Sequence, residues 1–136
     1  ECQVILPRLK TDIVKIFEKS TSDKLINTKI EWKRKKCMTI VLCAKGYPRR
    51  YKKNLVIKNI DKLKLSKQDY IFHAGTKIVD NELRSNGGRV LNITSVGNSF
   101  LKIRKNIINN LKKLNWKKGF YRKDIGWRVI NKNESY

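Results

Sequence analysis

The chain has 136 residues, of which 40% are apolar, and its 33 lysines and arginines against 11 aspartates and glutamates give a formal net charge of +22. This apolar content excludes a disordered basic tail, and the length is that of one domain. No run reaches the ~18 consecutive apolar residues of a membrane span, and residues 3–13 lack the pattern of a signal peptide. The chain begins at Glu1 rather than at a methionine, which suggests a processed product or a piece of a longer reading frame.

The N-terminal half combines a helical pattern with an extended one. Apolar residues recur at helical spacing from Val4 to Phe17, so we predict one helix there, started or kinked by Pro7. The continuous apolar run Cys37–Cys43 predicts a strand buried on both faces, and the Gly46-Tyr47-Pro48 segment ends it.

The C-terminal half predicts further strands and one long helix. Three strands are expected there: Tyr70–His73, Lys77–Leu83 and, after a turn signal at Asn86-Gly87-Gly88, Arg89–Val96. Asn98 or Ser99 would cap a helix that ends near Leu114 and carries its apolar residues on one face. These elements predict an α+β domain with a mostly antiparallel sheet flanked by helices, followed by a disordered tail at residues 131–136.

Three cysteines and one histidine limit the metal and redox chemistry of the chain. Cys2, Cys37 and Cys43 lack the spacing of a metal site, and they are typical of small buried side chains in a reducing cytosol. His73 is the only histidine, which excludes a site with several histidine ligands. We therefore expect a cytoplasmic protein with no metal site in this chain.

The positive charge has two possible origins. A strong excess of lysine and arginine is typical of proteins that bind nucleic acid. The basic residues are spread along nearly the whole chain, however, and lysine, asparagine and isoleucine are abundant while alanine occurs only at Ala44 and Ala74. A compositional bias would produce this pattern without any acidic partner. The longest basic run, Lys33–Lys36, is typical of a solvated turn or helix end.

Four glycine-bearing segments are the most specific feature of the sequence. In chain order they are Gly46-Tyr47-Pro48, Phe72–Thr76, Gly87–Thr94 and Tyr121–Gly126. Together they closely resemble the C-terminal part of the phosphoribosylamine–glycine ligases, a family of the ATP-grasp superfamily. The opening residues 1–12 resemble the stretch that begins at the end of the metal-binding loop of that family.

The resemblance implies an activity, cofactors and a division of the chain. These ligases join glycine to 5-phosphoribosylamine with ATP and magnesium, through a glycyl phosphate, to give glycinamide ribonucleotide in purine synthesis. Residues 1–28 would be a helical segment after the metal-binding loop, and residues 29–130 the C-terminal domain that closes over the substrates. ATP and magnesium would be bound by upstream domains that this chain lacks, so the chain alone is expected to be inactive. Neither a membrane nor a specific nucleic acid is expected as a partner.

Gly87, Gly88 and Arg89 are the first candidates for substrate binding. The two glycines could adopt turn conformations that direct successive backbone N–H groups at an anion, and Arg89 could bind a phosphate or carboxylate through two hydrogen bonds. Phosphoribosylamine carries a phosphate, so the resemblance favours this interpretation. The alternative is a type I′ hairpin turn followed by a surface arginine.

His73, Gly75 and Thr76 lie where a predicted strand ends, a usual place to present side chains to a ligand. His73 and Thr76 could form hydrogen bonds near the sugar, while Gly75 would set the backbone geometry. The alternative for His73 is a histidine of the core. The Gly46-Tyr47-Pro48 segment could shape the wall of the cleft or only end the preceding strand.

One loop of this chain departs from the family pattern, and two other functions are compatible with the sequence. After Gly-Tyr-Pro the family usually has a small residue and then an acidic one before a glycine, whereas this chain has the basic loop Arg49–Lys53. A small basic RNA-binding domain is one alternative, because five aromatic residues near basic ones could stack on bases: Trp32, Tyr47, Tyr51, Trp116 and Tyr121. Another ATP-grasp ligase or carboxylase is the second. Arg122 and Asp124 are predicted to pair and to fix the closing segment.

Overall fold

Six strands and four α-helices lie in residues 1–133, the part of the chain that the computed structural model describes. The strands are β1 Lys36–Ala44, β2 Asp69–His73, β3 Thr76–Val79, β4 Glu82–Ser85, β5 Arg89–Gly97 and β6 Gly119–Phe120. The helices are α1 Cys2–Ile5, α2 Ile13–Thr21, α3 Phe100–Leu114 and α4 Trp127–Asn133. None of the helices described within these residues combines the length and the apolar character needed to cross a lipid bilayer.

Four strands form one antiparallel sheet in the order β2-β5-β1-β6, and β3 and β4 form a separate antiparallel hairpin. The predicted α+β architecture is therefore confirmed. β5 lies between two partners, and its residues 90–96 are all buried. The register of β1 against β5 shifts after Leu42, so that Val90 has no partner in β1 and Arg89 lies opposite Cys43. This bulge is at the end of the sheet where the candidate site lies.

Helix α3 covers one face of the sheet, as its apolar periodicity predicts. Its buried apolar side chains pack in one core with those of the two central strands: Ile103, Ile107, Leu111 and Leu114 with Ile40, Leu42, Leu91 and Ile93. Burial of each such side chain contributes about 1.5–3 kcal/mol, so this contact stabilises the domain substantially. The Ser99 hydroxyl caps the first turn of α3, and Asn115 ends the helix in the left-handed conformation.

A buried asparagine fastens a long loop to α3. Asn110 lies among the buried apolar side chains of α3 and is only 1% exposed, although its own side chain is polar. Its Oδ1 accepts a hydrogen bond from the backbone N–H of Lys64 at 3.1 Å, and its Nδ2 donates to the Asn106 carbonyl at 3.3 Å. The loop before β2 therefore depends on a polar contact that the apolar pattern does not reveal.

The single helix predicted for Val4–Phe17 is wrong. α1 is followed by a 3-10 turn that contains Pro7, and the chain then becomes extended at Leu9, which pairs with Trp32. α2 begins only after Asp12, whose carboxylate accepts a backbone N–H at 2.9 Å. The apolar spacing continues across the break, but this extended pairing interrupts the helical hydrogen bonds.

The single strand predicted for Lys77–Leu83 is also wrong, because this stretch turns back on itself. β3 and β4 pair across a two-residue turn, in which Asp80 and Asn81 have φ of 49° and 59°. Two consecutive positive φ values are typical of a hairpin turn that Asp and Asn tolerate.

Burial along β1 is less even than predicted. Ile40, Leu42 and Ala44 are buried, whereas the alternate residues Thr39, Val41 and Cys43 are only half-buried, so the two faces differ. All three cysteines are free: Cys37 is buried as predicted, Cys43 is half-buried and Cys2 is exposed. At the C-terminus, α4 extends to Asn133 into the stretch predicted as a tail, and residues 134–136 lie outside the described residues.

Candidate functional site

Gly75 and Gly87 are in direct backbone contact beside the first residue of β5. A Cβ atom on Gly75 would lie 2.6 Å from the Gly87 Cα and 2.6 Å from the Arg89 carbonyl oxygen. The Gly75 carbonyl accepts hydrogen bonds from the backbone N–H groups of Asn86, at 2.7 Å, and Gly87, at 3.2 Å. Only glycine permits this approach, which joins the β2–β3 connection to the β4–β5 connection.

The structure forms neither of the two predicted turns at Gly87 and Gly88. Neither glycine has a φ in the left-handed region, and the Gly87 N–H donates to Gly75 instead of facing solvent as an anion-binding nest would. A type I′ hairpin is not formed either, because β4 pairs with β3 while β5 pairs with β1 and β2. The glycines therefore serve close packing rather than unusual dihedral angles.

The Gly46-Tyr47-Pro48 segment contacts the β4–β5 connection through the ring of Tyr47, which covers Gly88. A Cβ on Gly88 would lie 2.0 Å from Cδ2 of Tyr47, and the Gly88 carbonyl accepts the Ala44 N–H at 2.8 Å. The Tyr47–Pro48 peptide is cis. Tyr47 and Pro48 also form one wall of an apolar cavity of about 330 Å³, lined further by Thr39, Val41, Cys43, Phe120, Arg122 and Ile125.

Arg89 is exposed at the start of β5, opposite Cys43. It takes part in none of the ion pairs formed among residues 1–133. Burial raises the pKa of the Cys43 thiol, and the positive charge of Arg89 partly opposes this rise. The Arg89 guanidinium therefore lies near Cys43 and is free to bind an anion.

His73 and Thr76 form a pair of their own. Nδ1 of His73 lies 2.9 Å from Oγ1 of Thr76, and His73 is exposed rather than part of the core. In the β2–β5 ladder His73 is opposite Leu91, whereas Arg89 is opposite Cys43 in the β1–β5 ladder. Directly paired residues share a face. Leu91 pairs with Leu42 and Arg89 with Cys43, and these neighbours in β1 face opposite sides, so the bulge places His73 and Arg89 on opposite faces of the sheet. The structure brings their backbones together but not their side chains.

The segment after β6 is fixed by arginine contacts. Arg122 makes the predicted pair with Asp124 through two hydrogen bonds, 3.1 and 2.6 Å long, and these lower the pKa of the Asp124 carboxyl. Arg104 of α3 donates to the Lys123 carbonyl.

Within residues 1–133 no three histidine, cysteine, aspartate or glutamate side chains are grouped so that they could hold a metal ion.

The aromatic residues considered for RNA stacking are mostly unsuited to it. Trp116 is 9% exposed, and its indole N–H donates to the Val56 carbonyl at 3.0 Å. Tyr47 and Tyr51 are half-buried and contact each other edge to face, with ring centroids 6.0 Å apart. Of the five aromatic residues, only Trp32 is exposed. These positions do not support the RNA-binding alternative.

A family model described as "Phosphoribosylglycinamide synthetase, C domain" matches residues 37–128, a range that contains all the site candidates. The chain belongs to this family. Two curated relatives of the synthetase C domain are phosphoribosylamine–glycine ligases. The protein from Brucella melitensis is 36% identical over 99% of this chain and 32% of its own length, and that from Caldanaerobacter subterraneus is 38% identical over 92% and 29%.

A solved structure is similar to most of this chain. The crystal structure of phosphoribosylamine–glycine ligase from Thermotoga maritima superposes with a TM-score of 0.60 and 28% identity, over 79% of this chain and 27% of that one. The predicted family and fold are thus confirmed. The chain spans about a third of the length of the curated relatives it matches.

Sequence reasoning missed two features of this chain. Asn92 is 6% exposed in β5, and its Oδ1 has no hydrogen-bond partner among residues 1–133; an asparagine between Leu91 and Ile93 is the signal that could have singled it out. The second feature is a basic cavity of about 460 Å³, lined by Lys45, Arg50, Tyr51, Lys52, Leu55 and Lys118. The charge of the loop after Pro48 was visible in the sequence, but the approach of Lys118 was not.

Proposed function

We propose that this chain is the C-terminal part of a phosphoribosylamine–glycine ligase, which joins glycine to 5-phosphoribosylamine with ATP through a glycyl phosphate. The observation that carries the proposal is the Gly75–Gly87 contact. It joins two of the glycine segments typical of the family at one end of the sheet, beside an arginine that is free to bind an anion. Family membership and the ligase names of the relatives support the same reaction.

In this proposal Arg89 binds the phosphate of phosphoribosylamine. The planar guanidinium donates two parallel hydrogen bonds to a phosphate, which fixes the position of the sugar as well as neutralising its charge. The His73–Thr76 pair approaches the sugar from the other face of the sheet. Gly75, Gly87 and Gly88 hold the backbone in place, and Gly46-Tyr47-Pro48 forms the cleft wall.

The remaining chemistry belongs to the rest of the ligase. ATP and magnesium would be bound there, and residues 29–130 would close over the substrates. An acyl phosphate such as glycyl phosphate hydrolyses in water, so closure would protect it until the amine attacks. The chain alone would then release no ADP.

The test is the kinetics of the full-length protein encoded by the reading frame that contains this chain. ADP release should require both glycine and phosphoribosylamine. Arg89→Ala should lower kcat/KM for phosphoribosylamine about a hundredfold, the loss typical of an uncompensated charged contact to substrate, with a smaller effect on KM for ATP. Arg89→Lys should recover part of this loss.

The matched control is Arg34→Ala, which removes the same charge from an exposed position beyond the opposite end of β1. It should leave kcat/KM within about twofold. Equal kinetics for the Arg89 and Arg34 variants would remove Arg89 from the site. ADP release that does not depend on phosphoribosylamine would contradict the proposed reaction.

A further inference from the structure

The basic cavity lies between the end of β1 and the turn that leads into β6. The Lys45 N–H donates to the Lys118 carbonyl at 2.8 Å, so these two lysines are held side by side by the backbone. Arg50 and Lys52 come from the loop on the other side. The loop folds back tightly at Gly46, whose φ is +100° and where a Cβ would lie 2.2 Å from the Arg50 carbonyl oxygen. Because only glycine fits there, the loop has a defined shape.

Four of the six residues that line this cavity are cationic, and none is acidic. None of the four takes part in an ion pair with any described residue; the acidic partners in residues 1–133 are engaged elsewhere, at Glu31, Glu82 and Asp124. Like charges that converge in one concave site repel one another and create a strong positive potential, which an anion relieves.

The remaining two lining residues, Tyr51 and Leu55, are half-buried and give the cavity a partly apolar floor. Tyr51 contacts the Tyr47 ring, so its position is fixed from behind. The lining therefore combines four cations with two half-buried side chains, one of which is packed against a second ring.

We propose that this cavity is a binding site for an oligophosphate, an anion with two or more adjacent phosphate groups. Near pH 7 a single phosphate carries about two negative charges at most, whereas four cations converge here, and a chain of phosphates matches them in number. An RNA strand fits less well, because Tyr51 is the only aromatic ring in the lining and cannot by itself form the row of rings on which successive bases stack. The site is separate from Arg89 and does not depend on the proposed ligase reaction.

The experiment is titration calorimetry of the 136-residue chain with inorganic tripolyphosphate, diphosphate and phosphate at physiological salt. Tripolyphosphate should bind with a stoichiometry of one and more tightly than diphosphate, with phosphate weakest. The double variant Arg50→Ala/Lys52→Ala should weaken tripolyphosphate binding about tenfold, since each removed cation costs a few-fold at an exposed site. Both side chains are exposed, so the fold should be kept, and circular dichroism checks this.

Two variants show whether the effect belongs to the cavity. Lys15→Ala/Lys19→Ala removes the same charge from the exposed side of α2 and should change affinity less than about twofold. An equal loss in this control would overturn the proposal in favour of diffuse attraction by the whole chain. Arg34→Ala, which removes one exposed charge outside the cavity, should bind tripolyphosphate normally. The titration contains neither glycine nor ATP, so its result is independent of the ligase reaction. A mixed-sequence RNA that binds more tightly than tripolyphosphate and responds to the same double variant would also overturn it.

Discussion

Glycine is required for two different reasons in this molecule, and each reason applies to different positions. Gly46 and Gly126 have φ of +100° and +81°, which L side chains rarely adopt. Gly75, Gly87 and Gly88 lack positive φ and are required by close approach to backbone or to an aromatic ring. A sequence shows that a glycine is present, but only the packing around it shows which use applies.

The Gly75 contact gives a prediction for stability. Gly75→Ala should destabilise the chain by about 1–3 kcal/mol, because the new methyl group would meet backbone atoms of Gly87 and Arg89 that cannot move without distorting two loops. Urea unfolding of the 136-residue chain, followed by circular dichroism, measures this.

Gly97→Ala is the matched control for Gly75→Ala. A Cβ at Gly97 would lie 3.2 Å from Cγ1 of Ile103, so a side-chain atom would have to shift by a few tenths of an ångström, whereas the atoms met at Gly75 belong to the backbone. Gly97→Ala should lower the free energy of unfolding by less than about 1 kcal/mol. If the two alanine variants were equally stable, the close backbone approach at Gly75 would not limit that position to glycine.

At the scale of elements, a single carboxylate joins a strand, a helix and a loop. Asp69 begins β2; its Oδ1 accepts from Nδ2 of Asn106 in α3 at 2.8 Å, and its Oδ2 accepts from the Ser66 N–H at 2.8 Å. Burial opposes the ionisation of Asp69, but the hydrogen bonds from Ser95, Ser66 and Asn106 outweigh it and lower the pKa below its ordinary value of 3.8. The edge strand β2 is thus held to α3 by a contact that requires the charged form.

This arrangement predicts a pH dependence of stability. A pKa that is lower in the folded state means that the contribution of Asp69 is complete above the unfolded pKa and is lost as the pH falls through the folded one. Asp69→Asn should therefore lower the free energy of unfolding by about 1 kcal/mol near pH 7, since the carboxyl is partly exposed and solvent screens its contacts, and the difference from the parent should shrink near pH 3. Urea unfolding at the two pH values measures both.

Asp61→Asn provides the control for acid stability. Asp61 is an exposed carboxylate in the loop before β2, outside the hydrogen bonds that hold Asp69. Its substitution should leave the parent's loss of stability on acidification unchanged. A constant difference between Asp69→Asn and the parent across this pH range would show that the ionisation of Asp69 is not coupled to folding.

At the scale of the whole molecule, the charge is poorly compensated. The chain has 33 basic residues and 11 acidic ones, and the ion pairs described within residues 1–133 lie between largely exposed side chains, apart from that of Arg84. Exposed pairs contribute at most about 1 kcal/mol each, so they do not offset the repulsion among the excess cations. This repulsion opposes the compact state.

Salt should therefore stabilise the chain. Raising NaCl from about 0.05 M to about 0.5 M shortens the Debye length from ~14 Å to ~4 Å, and screening should raise Tm by a few degrees. Scanning calorimetry measures the shift. Arg50→Ala/Lys52→Ala should have a somewhat smaller salt effect, because it removes two of the repelling charges, while a Tm that falls with NaCl would show that attractive pairs dominate instead.

The sequence alone determined much of this protein. Apolar spacing and a cap at Asn98 or Ser99 placed α3, and a continuous apolar run placed β1. A turn signal followed by partial alternation placed β5, and four ordered glycine segments led to the family. These signals are local, because a few neighbouring residues and the periods of helix and strand suffice to produce them.

Only the tertiary structure decided what the glycines and the charges do. The Gly75–Gly87 contact, the Tyr47 ring on Gly88 and the approach of Lys118 to the loop after Pro48 all join residues far apart in the chain. The same holds for the break at Leu9, where pairing with Trp32 overrides helical spacing. Local pattern cannot contain such contacts, since they depend on which backbones the folded sheet brings within a few ångströms of each other. For that reason the net charge of +22 conveyed little by itself, whereas its distribution distinguishes Arg89, free at the candidate site, from the four cations of the basic cavity.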